Sequence, residues 1–458
     1  MRHFKGFLAV FLTASIFLNS QAAPTIYPTG TTIFEPEKTW GGYNVLTILD
    51  TPLVVVIDMN GNLVKEWEGF YFSPGGPARV LPGGYAMGTT GSFRPHQEAL
   101  ALIQQDFDGN ETWRFDRNEQ VTLQNGATVW SARTHHDWQR QDSPAGYYSP
   151  EFDPSLRSSN TLLLTHTNYD NPEVASVTLE DDRIIEVNPE GDIIWEWRAG
   201  DHIDEFGFSD DARATIHSGI GYSSARGSMD WLHINSATYV GPNSWYEDGD
   251  ERFAPENIII SSRQSSVIAI INRDGNVVWQ IGPDFSATPE ERAIGQVIGQ
   301  HHAHFIPLGL PGAGNIMIFD NGGSSGYGAP SALTTSGSGI YARSTSRILE
   351  INPATLELVW SYRQANFFST NISGAQRLPN GNTLITEGAP GRIFEITKEG
   401  EIVWEYMNPP SPYSTRNSNS VYRAYRIPYE WIPQLSIPQE KAVIPPDLGG
   451  FRLPESNG

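Results

Sequence analysis

The chain contains no cysteine in 458 residues. That absence excludes disulfide bonds, thiolate metal sites, a cysteine nucleophile and a lipid anchor on an N-terminal cysteine. Basic residues are scarce: 30 Lys and Arg face 52 Asp and Glu, a formal charge of −22. Such an acid surplus argues against binding nucleic acid or an anionic membrane surface. It does not exclude a small anionic substrate held in a local positive pocket. Long apolar runs are also lacking. The candidate run, Phe7 to Leu18, is too short to span a bilayer. Arg2 and Lys5 precede it and Ser20-Gln21-Ala22 follows, so residues 1–22 read as a secretory signal cut after Ala22. The mature chain, 23–458, then carries 28 basic and 52 acidic residues. It is expected to be secreted, or periplasmic in a Gram-negative source.

What is present in quantity is turn chemistry. The 44 glycines and 32 prolines show no collagen period, and 13 tryptophans recur at intervals. Length alone suggests two to four domains, but a repeat overrides it. Six copies of one phrase read as strand, polar turn and strand closing on Trp. They lie at 57–67, 103–113, 187–195, 271–279, 351–360 and 396–404. Asp-Gly and Asn-Gly between β-branched runs are hairpin signals, because both residue types tolerate positive φ. A further strand precedes each copy, at 44–49, 84–89, 160–165, 257–262, 315–320 and 382–387.

Six units with no helical pattern of comparable strength predict an all-β fold, a six-bladed β-propeller. A fourth strand per unit ends on an apolar-Pro pair in GGPARVLP (75–82), HHAHFIP (301–307), SGAQRLP (373–379) and YRAYRIP (422–428). The last copy follows the sixth Trp, and the first unit has none ahead of it. Pairing of the N- and C-terminal strands would close the ring and remove exposed sheet edges. The Pro-rich stretch 433–458 is expected to pack along the outside or fray.

The innermost strand of each blade lines a propeller's axis. Counting five residues back from the apolar-Pro pair gives Gly76, His301, Ser373 and Tyr422; THHDWQ and DWLHINS supply His136 and His233 at the same station. Three of six positions are histidine in a chain with eleven. A second register, six residues after the strand-opening Asn, gives His166, Arg263 and Asn321. Three chemistries fit these groups. Neutral imidazoles suit zinc or copper, although Arg263 would repel a dication. An Arg fork with imidazole donors suits sulfate or phosphate. Histidines also serve as plain hydrogen-bonding groups between blades.

The segments DWLHINS (230–236), IIISSRQSSVIAI (258–270), GQHHAHFIP (299–307), IFDNG (318–322) and SVYRAYRIPYEWIPQL (420–435) resemble the bacterial arylsulfate sulfotransferases. The resemblance spans most of the mature chain. It implies an exported six-bladed propeller that moves a sulfuryl group from an aryl sulfate to a phenol. No nucleotide donor and no cofactor are implied, and the family mechanism passes through a sulfohistidine. Carried over by position, His301 is the nucleophile, with His233, His136 and Arg263 as further catalytic groups and Asn235 binding the sulfuryl oxygens. Ser373 and Tyr422 share the axial station as candidate substrate-binding residues. No metal is assigned to this set. The expected partners are small aryl sulfates and phenols, without nucleic acid or membrane insertion; oligomeric state is not assigned. The chain departs from larger members in leaving about 21 residues between Ala22 and Asn44, too few for an N-terminal β-sandwich.

Two other functions use the same groups: a non-catalytic propeller binding an anionic ligand, and an aryl sulfate hydrolase. Asp106, Asp108 and Asn110 imitate part of a calcium loop, but a plain hairpin turn explains them. Two inserts, Gln139 to Ser159 and Phe206 to Met229, are expected around the mouth of the axis.

Overall fold

The computed structural model describes residues 29–72, 76–93, 96–219, 229–323, 325, 327, 343–414 and 418–444. The proposed signal, residues 1–22, lies outside the described residues. Six antiparallel sheets follow one another around a ring. From the axis outward, blade 1 is Val421–Ile427, Tyr43–Ile48, Leu53–Ile57 and Leu63–Glu68. Blade 2 is Arg79–Leu81, Tyr85–Thr90, Ala101–Gln105 and Glu111–Phe115. Blade 3 is Thr134–Arg140, Thr161–Tyr169, Leu179–Val187 and Ile193–Arg198. Blade 4 is Ile234–Tyr239, Ile258–Ser262, Val267–Ile271 and Val277–Ile281. Blade 5 is His301–Phe305, Ile316–Asp320, Arg347–Ile351 and Leu358–Tyr362. Blade 6 is Gly374–Arg377, Thr383–Glu387, Arg392–Ile396 and Ile402–Met407.

The predicted closure is present: the C-terminal strand pairs with the N-terminal one, Tyr43 opposite Ile427 and Val45 opposite Tyr425. The ring is also tied at a second place that the repeat did not show. Gly30–Phe34 adds a fifth strand to blade 6, with Phe34 opposite Trp404. Phe34 in turn exchanges backbone hydrogen bonds of 2.8 and 2.9 Å with Val443, which holds the tail to the outside as far as it is described.

The recurring Trp has a specific partner. Its indole N–H donates to a main-chain carbonyl in the hairpin turn of the following blade. The six bonds are Trp67 to Asp106, Trp113 to Pro189, Trp195 to Arg273, Trp279 to Pro353, Trp360 to Lys398 and Trp404 to Met59. All measure 2.8–3.0 Å, and the last returns to blade 1. Each repeat thus supplies a donor to one neighbour and an acceptor to the other. In five turns a glycine takes positive φ, 84° to 91°. The Gly-free turn of blade 5 uses Leu356 at φ 59°. Asp106 Oδ1 accepts from the backbone N–H of Asp108 and Asn110 at 3.0 and 2.8 Å, so this segment is the hairpin turn it was expected to be.

Apolar faces pack between blades; Ile258, Ile260, Val267, Ala269 and Ile271 of blade 4, for example, meet Leu162, Leu164, Ile184 and Trp197 of blade 3. Three short helices, Asp210–His217, Ser244–Glu247 and Pro289–Ile294, sit in connections. No helix among the described residues is long and apolar enough to cross a membrane.

Candidate active site

Polar groups concentrate where the innermost strands begin. A normal strand would turn alternate residues toward the axis. Here bulges interrupt it, between Thr134 and Trp138 in blade 3, Ile234 and Ser236 in blade 4, and His301 and His304 in blade 5. Bulges re-aim side chains. His136 and His302 lie within these bulges and His233 just before one, at φ 51°, 52° and 53°, a conformation unusual for non-glycine residues. The different placement of the extra residues means that counting along the chain does not give one strict station.

The structure nevertheless brings His136, His233, His301 and Arg263 together. The rings of His136 and His233 meet edge to face with centroids 4.5 Å apart. Arg263 and His233 both lie close enough to His301 to depress its basicity. His136, His233 and Arg263 each keep 5% of their surface exposed, and His301 2%, whereas neighbouring His135 and His166 keep none.

Each axial imidazole is anchored through Nδ1. His301 Nδ1 lies 2.8 Å from Asn321 Oδ1 and 3.2 Å from the Gly299 carbonyl, so it carries the proton. His301 Nε2 then accepts, from the Ile372 backbone N–H at 3.1 Å. His233 Nδ1 makes a short contact with Asp230. His136 Nδ1 lies 2.8 Å from His135 Nδ1. A partner on Nδ1 assigns chemistry to Nε2. Burial, and then the Arg263, His233 and Arg423 charges, hold His301 well below the ordinary imidazole pKa. Burial and the neighbouring histidines do the same to His136. Both rings are neutral at pH 7.

The remaining candidates serve the frame. Asn235 Nδ2 donates to the Gln300 carbonyl at 2.7 Å, immediately before His301. Tyr422 donates its hydroxyl to the His136 carbonyl at 2.8 Å and so supports the left-handed backbone there. Ser373, at φ 89°, shares its hydroxyl with Ser369 Oγ and the Gly388 N–H. Gly76 packs against the same strand; a Cβ there would lie 3.3 Å from Trp138.

Residues outside the predicted set complete the arrangement. Arg423 is fully buried; it bonds Asp137 Oδ2 at 3.1 Å and the Asn235 carbonyl at 2.8 Å. Arg79 bonds the other Asp137 oxygen at 2.9 Å. Two axial guanidinium groups therefore share one carboxylate. Asp230 and Arg423 sit inside the motifs already quoted, three residues before His233 and one after Tyr422. Nothing along the chain announces their partners.

His302 and His304 belong elsewhere. His304 Nε2 meets the Tyr147 hydroxyl at 3.0 Å, and burial pushes its pKa down to about 4. Tyr147 belongs to the insert Gln139 to Ser159, which leaves the far end of the blade 3 inner strand. That insert was expected at the mouth. It closes the opposite end of the axis instead, with Tyr147 packed beside Ile306 and Leu310. The second insert leaves the site end, but residues 220–228 lie outside the described residues.

Beside the axis, blade 3 carries His135, His166 and Asp182, whose ligand-type atoms lie within 4.8 Å of one another; His96, Glu98 and Glu180 form a second such group. Burial would lower the His166 pKa, but Glu180, Glu98 and Asp182 raise it to about 10.

The family profile of the arylsulfotransferases (ASST) matches residues 142–412. No curated protein matches the chain. Among solved structures, a Bacteroides caccae protein of unknown function is 12% identical, with a TM-score of 0.45, covering 85% of this chain and 99% of that one. A streptogramin B lyase is 11% identical, TM-score 0.36, covering 83% and 87%. A Staphylococcus aureus virginiamycin B lyase is 12% identical, TM-score 0.31, covering 74% and 71%.

Proposed function

Because the chain belongs to the arylsulfotransferase family, we propose that it moves a sulfuryl group from an aryl sulfate to a phenol in two displacements, through a sulfohistidine on His301. The observation that carries this reading is the state of His301: a neutral buried imidazole, its Nδ1–H held by Asn321, with Arg263 beside it. The absence of cysteine removes the thiolate as an alternative for a covalent step.

In the first half, His301 Nε2 attacks sulfur. The N–S bond forms, the S–O(aryl) bond breaks, and the phenolate leaves. Arg263 and His233 stabilise the charge spread over the three sulfuryl oxygens. The Ile372 N–H, released from Nε2 by the new bond, joins them. Neutral His136 donates a hydrogen bond to the leaving oxygen, which departs as the phenolate and takes its proton from solvent; the incoming phenol gives its proton to solvent before attack. In the second half the acceptor oxygen attacks sulfur and frees His301. Asn235 and Tyr422 are positioning residues in this scheme. Asn235 fixes the main chain before His301, and Tyr422 fixes that of His136. Splitting the displacement in two replaces one hard step by two easier ones. The arginines at the axis give an acidic protein the local positive charge an aryl sulfate requires. Export, with cleavage after Ala22, belongs to the same proposal.

The test is brief exposure of the protein to nitrophenyl sulfate followed by peptide mass analysis. An adduct of about 80 Da on His301 is expected, absent in His301→Ala. Full transfer by folded His301→Ala refutes the assignment. Nitrophenol release that is indifferent to added phenol identifies a hydrolase, and no release identifies a binding propeller.

A further inference from the structure

We propose that His135, His166 and Asp182 form a binding site for one divalent cation of the zinc class, buried in blade 3 next to the axial histidines.

Three atoms converge without hydrogen-bond partners: His135 Nε2, His166 Nε2 and Asp182 Oδ1. All three residues are fully buried. Asp182 Oδ1 is 3.3 Å from His135 Nε2 and 3.8 Å from His166 Nε2. Ligand atoms around a tetrahedral zinc with bonds of about 2.0–2.1 Å are separated by about 3.3 Å. Two imidazoles and one carboxylate suit zinc and its neighbours rather than calcium or magnesium, which take oxygen ligands.

The opposite atom of each residue faces a polar group, as the outer atoms of metal ligands usually do. Asp182 Oδ2 accepts the Ile234 N–H at 3.0 Å. His166 Nδ1 faces Glu98 and Glu180, each at 3.3 Å. His135 Nδ1 faces His136 Nδ1 at 2.8 Å. The rings of His135 and His166 stack at 3.6 Å between centroids. A shared ion requires them to open toward edge-on geometry.

Charge points the same way. Glu180, Asp181 and Asp182 are consecutive and buried on one interior strand. Glu98 is answered by Arg133 at 2.8 and 3.0 Å. Asp181 accepts from the Trp231 indole and the Gly200 N–H. Asp182 receives one backbone N–H, faces the imidazoles of His135 and His166, and lies within reach of the Asp230 and Asp181 charges. Buried carboxylates in such excess are normally paired or metal-bound.

The site has a consequence for the axis. A His135 that ligates through Nε2 carries its proton on Nδ1 and donates it to His136 Nδ1. His136 then keeps its own proton on Nε2, the form that donates a hydrogen bond to a leaving phenolate. This consequence rests on the sulfuryl-transfer reading; the test below does not use activity.

The full mature chain is stripped with a chelator, dialysed against zinc chloride and then against buffer, and its metal content is measured by mass spectrometry. About one zinc per chain is expected, falling at least tenfold in Asp182→Asn and in His166→Gln. Cobalt in place of zinc should give visible d–d absorption in the unmodified chain. Equal zinc retention by the unmodified chain and folded variants overturns the site. If the variants do not fold, the unmodified chain decides: zinc must raise its melting temperature by several degrees and chelator must reverse it. No shift overturns the proposal and leaves His166 as a protonated partner of the surrounding carboxylates.

Discussion

Asn321 clamps the proposed nucleophile from two sides, which makes its removal informative. Its Oδ1 accepts from His301 Nδ1 at 2.8 Å, while its Nδ2 donates to the carbonyls of Ser369 and Ile372 at 2.9 and 3.0 Å. Ile372 is also the residue whose N–H rests on His301 Nε2. Ile372 and Ser373 have φ of 51° and 89°, conformations that cost on the order of 1–3 kcal/mol each and persist where neighbours enforce them. In Asn321→Ala, the Ile372 carbonyl loses its side-chain donor. Ser369 keeps a 3.4 Å contact with Ser346 Oγ, and His301 Nδ1 keeps the Gly299 carbonyl at 3.2 Å. One orphaned buried acceptor costs about 1–3 kcal/mol, and two weakened bonds about 0.5–1.5 each. A loss near 3 kcal/mol in denaturant unfolding is expected. The ring, held by Gly299 alone, loses its aim, and about 10–100-fold in the sulfation step corresponds to about 1.4–2.7 kcal/mol of barrier. The assay is the pre-steady-state burst of nitrophenol, measured in protein shown to be folded. Asn321→Asp restores an acceptor for Nδ1 and should burst faster than Asn321→Ala, despite lacking the two donations. An unchanged burst rate in folded Asn321→Ala refutes the orientation argument.

The His301 pKa is depressed, so the ring is neutral above that value and protonates only well below 6.5. The burst should therefore show no acid limb as pH falls through 6.5, and a midpoint near 6.5 contradicts the burial argument. Two conservative variants separate stability from chemistry. Trp279→Phe removes the 2.9 Å bond to Pro353 and Tyr147→Phe the 3.0 Å bond to His304; each should lower unfolding free energy by about 1–2 kcal/mol. Steady-state turnover should stay unchanged in both, and loss in Tyr147→Phe would place the insert back at the reacting end.

The ring was legible because its bonding rule repeats. A Trp that donates to the next turn, and a turn that accepts from the previous Trp, must recur in every blade. Gly30–Phe34 was invisible because it belongs to no repeat; it fills one outer edge once. His136, His233 and His301 stood out as rare residues at related positions. Of their partners, only Asn321 fell in a register; Asp230, Arg423 and Asp137 did not stand out. Asp230 lies three residues before His233, but Asn321 reaches His301 across a strand pair, and Arg423 reaches Asp137 and Asn235 from another blade. Side-chain pairing between blades leaves no spacing signature. The bulges add a further difficulty, because His302 rather than His301 takes the left-handed backbone in blade 5. The misplacement of Gln139 to Ser159 has a simpler cause. A segment leaving the C-terminal end of an innermost strand emerges at the end away from His136, so strand direction alone sets its place.

The −22 charge of the chain is divided at the site by a pair of histidines. On one side of His135 and His136 stand Arg263, Arg423 and Arg79 with Asp137; on the other stand Asp182, Glu180 and Glu98 with Arg133. An aryl sulfate bound as proposed would enter the first group and feel the second. A unit charge about 10 Å away acts through roughly 1.7 kcal/mol at an effective dielectric of about 20. A carboxylate left unbalanced at that range would cancel part of what one well-placed arginine contributes. Anion binding at the axis is therefore favoured by local neutralisation of the blade 3 carboxylates. His166, its pKa raised to about 10, supplies one positive charge at neutral pH. A divalent ion between His135, His166 and Asp182 supplies two while displacing that proton, and so strengthens the axis for sulfate without touching it.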